Sequence, residues 1–275
     1  MITLSRKAQD FLYSNGSQGI INYNGINYYF KKDKCMENAF LELVVEQMAK
    51  LVGIKCAHYE RTEVYGAYYY YLSEDLNTLG EFKLACEVLG NNQENNSLYG
   101  IWANIEALYP QNTPFIMQEI IKIYFFDLLM MNWDRKLTNW GFIFLDENSF
   151  YPVIFDNDYS FNLNMGSRLT SKNACSDKLN SHLPIHNRYF MSYFENGILK
   201  KNLEDLEYFL VTSSSEFNEM VKGIYEMLTP KALKGIFTDL ERSEQIEIPS
   251  KDNYLDMYAR NYKAIGDIIL ARSKK

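Results

Sequence analysis

A chain of 275 residues is long enough for one large domain or for two lobes that share a cleft. Hydrophobic residues at 47% and charged residues at 23% give an ordinary globular composition with material for a sizeable core. The formal charge of −7 argues against bulk electrostatic binding to nucleic acid or to anionic membrane, and leaves room only for a local basic groove.

Residues 11–31 read as β structure, and Asn24-Gly25, between runs rich in Ile and Tyr, is a strong hairpin signal. Met36–Val52 carries Phe40, Leu43, Val44, Met48 and Leu51 at helical spacing, and Gly53 is placed to stop that helix. Two further strands are expected at Cys56–Val64 and Tyr68–Leu72, about a turn at Tyr65-Gly66. Leu76–Val88 reads as mixed and 91–97 as a polar loop. Trp102–Leu108 and Phe115–Met131 read as helices, the second apolar nearly all round and therefore central. Asn139–Phe155 holds two short strands, W-G-F-I-F-L and F-Y-P-V-I-F, about a D-E-N-S turn. Residues 159–187 are polar and irregular, a length that in a compact domain is usually functional or mobile. Amphipathic patterns follow at 203–211, 215–228, 230–241 and 253–272. The expected fold is α+β and two-lobed: a small β-rich lobe with one helix over 1–73, and a larger helical lobe over 74–275.

Cys35, Cys56, Cys86 and Cys175 are scattered, with no C-x-x-C pair and no His at ligand spacing. That pattern indicates reduced thiols in a cytoplasmic protein and not a disulfide frame or zinc site. The N-terminus lacks the apolar core of a signal peptide. The most apolar run, Ile120–Met131, is broken by Lys122 and Asp127 and is too short to span a bilayer.

Chemistry concentrates in N-W-D-R-K-L-T-N at 132–139 and V-I-F-D-N-D at 153–158. Asp134 and Asn139 stand five apart between a buried helix and a strand, and Asp156 follows the second strand of a hairpin. A carboxylate aimed at a substrate hydroxyl, with an Asn and a second Asp aimed at Mg2+, is what phosphoryl transfer requires. The same Asp-to-Asn step of five occurs in the protein-kinase catalytic loop. Arg135 or Lys136 could add positive charge near the transferred group. Taken singly, each residue is as well read as a helix cap or an Asx turn. An EF-hand starting at Asp156 fails, because Phe161 and Ser167 fall where Gly and Glu are needed.

The other half of such a site lies upstream. Lys31 ends the strand Y-Y-F-K and Glu42 sits one turn into the following helix, as a strand Lys and its helical partner should. Strand alternation puts Lys31 on the face of Tyr29 and favours it over Lys32, while Glu37 and Glu46 compete with Glu42.

Together, Y-Y-F-K at 28–31, F-L-E-L-V-V-E-Q-M-A-K-L-V-G-I at 40–54, F-F-D-L-L-M-M-N-W-D-R-K-L-T-N-W-G-F at 125–142 and P-V-I-F-D-N-D-Y-S-F at 152–161 resemble the HipA-type serine/threonine kinases. That fold is related to protein kinases and phosphatidylinositol kinases. The family reads N-x-D-R/D-H-x-x-N-x-G, so Lys136 departs where His is usual. The resemblance implies Asp134 as catalytic base, Asn139 and Asp156 as Mg2+ ligands, and Lys31 on the phosphates with Glu42 as its partner. It places a hinge near Tyr71-Leu72-Ser73-Glu74, whose backbone meets the adenine of ATP. It also implies a phosphate-covering loop at 13–19, with Gly16, Ser17 and Gln18 offering an anion nest. Ser14 or Ser17 in that loop would be the autophosphorylation site. By the same resemblance, the N-terminal subdomain with which longer HipA toxins engage an antitoxin is absent or encoded separately.

The activity expected is ATP- and Mg2+-dependent phosphorylation of a protein Ser/Thr, in a toxin–antitoxin, secreted-effector or housekeeping setting. An antitoxin or regulatory partner is compatible with it, and direct nucleic-acid or membrane binding is not expected. Two alternatives keep the fold: a lipid or small-molecule hydroxyl as acceptor, or a catalytically silent kinase-like binding module.

Overall fold

The computed structural model describes residues 18–33, 36–62, 69–90, 98–132, 135–157, 160–162, 194–195, 198–199, 214–248 and 250–272. Its first sheet is four-stranded and antiparallel, in the order β1-β2-β4-β3, from β1 (Gln18–Tyr23), β2 (Ile26–Asp33), β3 (Tyr59–Arg61) and β4 (Tyr69–Glu74). Asn24 and Gly25 take φ of 53° and 83°, so the β1–β2 connection has positive φ at both central positions, which is the reason for the N-G pair. Between β2 and β3 runs α1 (Met36–Leu51), which ends in a Schellman motif. Ile54 N–H donates to Ala49 C=O at 3.0 Å and Gly53 N–H to Lys50 C=O at 3.2 Å, with Gly53 at φ 71°.

The strand expected over Cys56–Val64 is shorter than its residue types suggest. Residues 55–57 leave this sheet to pair with the second one: Ala57 N–H donates to Ile154 C=O at 2.8 Å and Ile154 N–H to Lys55 C=O at 3.0 Å. Cys56 and Ile154 thereby form an isolated parallel bridge that stitches the two sheets, and among the described residues Tyr59–Arg61 pair with β4.

The second sheet is β5-β6-β7, from β5 (Glu81–Leu84), β6 (Trp140–Asp146) and β7 (Ser149–Ile154), all antiparallel. β6 and β7 are the expected hairpin. The third strand, β5, is four residues long and exists because β6 accepts it as an edge. That approach depends on Gly141, where any Cβ would overlap the Lys83 carbonyl and the Phe82 ring.

Two short helices, α2 (Ala85–Leu89) and α3 (Leu98–Leu108), precede α4 (Thr113–Met130). Pro114 in the first turn of α4 presets the backbone there, and Met131 in the left-handed region (φ 54°) closes its end, its N–H donating to Asp127 C=O. α4 is buried on nearly every face, as its apolar sequence predicts. Its buried Ile, Leu and Phe side chains each contribute about 1.5–3 kcal/mol, Phe115 being exposed. α5 (Ser215–Met227), α6 (Pro230–Glu244) and α7 (Lys251–Arg272) follow, the first two capped by Ser214 and Thr229, which accept the N–H groups of Phe217 and Ala232. A two-residue pairing of β8 (Phe194–Glu195) with β9 (Ile198–Leu199) completes the described elements, and the helix expected at 203–211 lies outside them.

One core joins α1 to α4, α6 and α7. Phe40 of α1 meets Phe237 of α6 at 5.5 Å between ring centroids, and Arg61 of β3 donates to the Glu244 carbonyl at 2.7 Å and carboxylate at 3.2 Å. No helix among the described residues is long and apolar enough to cross a membrane.

Candidate active site

β2 delivers Lys31 opposite Tyr71 of β4, with its ammonium 5.9 Å from the Tyr71 ring centroid. The ammonium is ion-paired with Asp156 Oδ1 and lies 3.6 Å from Glu42 Oε1. Of the competing carboxylates, Glu46 belongs to a different cluster: His58 Nδ1 lies 2.7 Å from its Oε1 and Tyr59 N–H donates to its Oε2 at 3.1 Å. The side chains of Glu37 and Lys32 lie outside the described residues.

Glu42 is wholly buried, and a buried carboxylate needs partners on both oxygens. Asn157 supplies them. Its N–H reaches both Glu42 oxygens at 2.9 Å, and its Nδ2 donates to Oε2 at 3.2 Å. The residue that follows Asp156 therefore orients the acid that faces Lys31. Asp156 itself has φ 56°, an uncommon conformation for a residue with a Cβ, and donates its N–H to the Tyr59 hydroxyl at 3.0 Å. Burial first, and then the Glu42 carboxylate, hold the Tyr59 phenol well above its ordinary pKa, so it is a neutral hydroxyl at physiological pH.

Arg135 does not extend towards the cleft, which corrects the expectation of phosphate-facing charge at this position. The side chain is 1% exposed and its donors are consumed inside the protein. Nε and Nη2 pair with the two oxygens of Asp127 at 2.9 and 3.0 Å, and Nη1 donates to the carbonyls of Asn139 and Phe155, both at 2.7 Å. Nη2 also reaches Asn157 Oδ1. Burial works against the guanidinium, but Asp127's charge and hydrogen bonds outweigh it and leave its pKa raised. Arg135 thus ties the last turn of α4 to both flanks of β6–β7, where Asn139 and Asp156 sit.

Asn139 is buried, with its N–H on the Lys136 carbonyl at 2.8 Å and its Oδ1 accepting from the Thr138 hydroxyl at 3.3 Å. A cleft of about 610 Å3 is walled by Lys31, Tyr59, Tyr71, Phe82, Phe155 and Asp156, with Thr138 in its lining and its neighbour Asn139 not. Phe82 and Phe155 meet edge-on at 5.7 Å. Of the expected hinge, Tyr71 and Ser73, which share one face of β4, line the cleft together with Glu74 at the strand end, whereas Leu72 is buried and absent from its lining. Gln18 begins β1 opposite Lys31. Gly16, Ser17, Ser14 and Asp134 lie outside the described residues. Asp127, Asn157 and Tyr59 were not legible as site residues. The one available signal was Asp127, a lone acid within F-F-D-L-L, eight residues before an Arg that could neutralise it.

No family model and no curated protein sequence matches the chain. Its fold does match solved structures. The proinflammatory kinase CtkA of Helicobacter pylori superposes with a TM-score of 0.64 at 17% identity, covering 94% of both chains. HipA of Shewanella oneidensis MR-1, solved as a toxin–antitoxin complex with HipB and its operator DNA, superposes with a TM-score of 0.55 at 15% identity. That match covers 93% of this chain but 64% of the HipA chain. The chain therefore has a HipA-type, kinase-like α+β fold.

Proposed function

We propose that this chain is an ATP- and Mg2+-dependent phosphotransferase acting on Ser/Thr hydroxyls of a protein. The observation that carries the reading is the pairing of Lys31 and Asp156 on the wall of one aromatic-lined cleft, with the buried Glu42 behind them 3.6 Å from the Lys31 ammonium. Lys31 holds nucleotide phosphates and Glu42, fixed by Asn157, keeps the ammonium aimed. The aromatic rings and the C-terminal end of β4 at Ser73-Glu74 receive the base. Asp134 orients the acceptor hydroxyl and takes its proton.

The donor set of Asp156 and Asn139 fits Mg2+, a hard cation that takes one or two protein oxygens and fills its remaining positions with phosphate and water. When bound, the ion neutralises charge on the transferring group. In the same reading Gly16, Ser17 and Gln18 contribute phosphate contacts, and Ser14 or Ser17 receives phosphate in an autoregulatory reaction. A regulatory protein partner is part of the same reading, since the HipA neighbour was solved with HipB.

The test is transfer of radiolabelled phosphate, with thermal shift in ATP and MgCl2, for wild type, Asp134→Ala and Asp156→Ala. Wild type should be stabilised by nucleotide and label itself or an added protein. Both variants should lose labelling, and Asp156→Ala should also lose the Mg2+-dependent part of the shift. No stabilisation of wild type and no labelled acceptor would overturn the reading. Labelling confined to a lipid or small molecule would move the acceptor class.

A further inference from the structure

The Tyr59 side chain has a position for which packing alone does not account. It lines the cleft, leans edge-on against Tyr71 at 6.1 Å, and puts its hydroxyl 3.0 Å from the N–H of Asp156. Its own N–H is held by Glu46, so the strand that carries it is anchored to α1. Asp156 needs such a contact. Its φ of 56° is unfavourable for a side chain with a Cβ and persists only where the surroundings over-determine it. On one side Asn157 is locked to Glu42 and Arg135; on the other Phe155 N–H and C=O are bound to Asn139 and Arg135. Between them, the Asp156 N–H donates to the Tyr59 hydroxyl.

We propose that Tyr59 is a positioning residue, whose hydroxyl oxygen latches the backbone of Asp156 and thereby sets the direction in which the Asp156 carboxylate points into the cleft. The consequence for metal and nucleotide rests on the phosphotransfer reading above; the latch itself does not.

Tyr59→Phe keeps the ring and removes only the oxygen. Two measurements on the full chain decide the matter. In a 15N-labelled sample, amide exchange at Asp156 should be slow in wild type and about tenfold faster in Tyr59→Phe, with the α4 amides unchanged. In ADP titrations, the MgCl2 concentration giving half-maximal Mg2+-dependent binding should rise by about tenfold, the usual scale for losing a group that orients a metal ligand, while affinity for ADP without metal stays within about twofold. An unprotected Asp156 amide in wild type overturns the latch without any variant. An unchanged MgCl2 dependence, or equal loss of metal-free ADP affinity, also overturns the positioning role and leaves Tyr59 as a packing ring. If wild type binds no ADP with or without Mg2+, the phosphotransfer reading falls. Amide exchange in Tyr59→Phe then still decides the latch, supporting it if faster and overturning it if unchanged.

Discussion

The N–H of Asn157 lies 2.9 Å from both carboxylate oxygens of Glu42, so two residues 115 positions apart in sequence share one buried junction behind Lys31. The same Asn157 side chain accepts from Arg135 Nη2, which also donates to Asp127. Ammonium, carboxylate, amide, guanidinium and carboxylate thus alternate from the cleft wall into the core of the helical part.

Asn157→Ala should therefore act on stability and on the site together. It strips Glu42 of a donor and Arg135 of an acceptor, and leaving buried polar groups unpaired costs about 1–3 kcal/mol. Urea unfolding measures that loss, and the nucleotide-induced thermal shift should shrink in the same variant.

Arg135→Met should be more damaging, because it leaves the fully buried Asp127 with only Asn132 Nδ2, at 3.1 Å, as a polar side-chain partner. Breaking a buried pair from one side costs about 3–5 kcal/mol. The double variant Asp127→Leu/Arg135→Met should lose less than the two single variants summed, as a double-mutant cycle would read out. A phosphate-facing Arg135 predicts the opposite: lower activity at unchanged stability.

Gly266→Ala probes the contact of α7 with α5. A Cβ there would overlap the Tyr225 hydroxyl, and Tyr225 cannot step aside because it stacks on Tyr262 at 4.1 Å with an 11° tilt. Ala in a helix interior normally gains about 1 kcal/mol over Gly, whereas overpacking costs about 1–3 kcal/mol. The melting temperature should fall, and Tyr225→Ala in the same chain should cancel most of the further loss.

The cluster of Glu46, His58 and Lys50 gives a pH signature. The hydrogen bond to Glu46 lifts His58 above its ordinary 6.5, against the opposing effect of partial burial. Burial pushes Glu46 up, but bonds from His58 and Lys50 outweigh it and hold it below 4.5. A raised His contributes stability that is complete below its unfolded pKa and lost as pH rises through its folded value; a lowered Glu contributes above its unfolded pKa and loses this as pH falls. Melting curves from roughly pH 5.5 to 8.5 should show wild type losing more stability than His58→Gln on the alkaline side, with His58 exposure keeping the difference modest.

Much of this architecture was legible because it rests on local rules. The Asn24-Gly25 turn, the Gly53 stop and the apolar run of α4 each declare themselves within a few residues. Residue type and spacing made Lys31, Glu42 and Asp156 candidates, the resemblance to HipA-type kinases chose Glu42 over Glu37 and Glu46, and the fold brings these three together. What escaped was decided by distant partners. β5 pairs with β6 where Gly141 allows the close approach, and Cys56 leaves its expected strand to bridge Ile154, a partner almost a hundred positions away. Arg135 was misread for the same reason, since nothing near it in sequence reveals that Asp127 is buried alongside.

The Phe40–Phe237 contact and the Arg61–Glu244 bridge have a mechanical consequence. α1 stands behind the cleft like a keystone, with the four-stranded sheet resting on one side and α6 on the other. A rotation that drew Glu42 away from Lys31 would have to pull an aromatic ring out of α6 or carry α6 along with it. The rear wall of the cleft and α6 are therefore coupled through packing, and a displacement of α6 would act on the helix that carries the partner of Lys31.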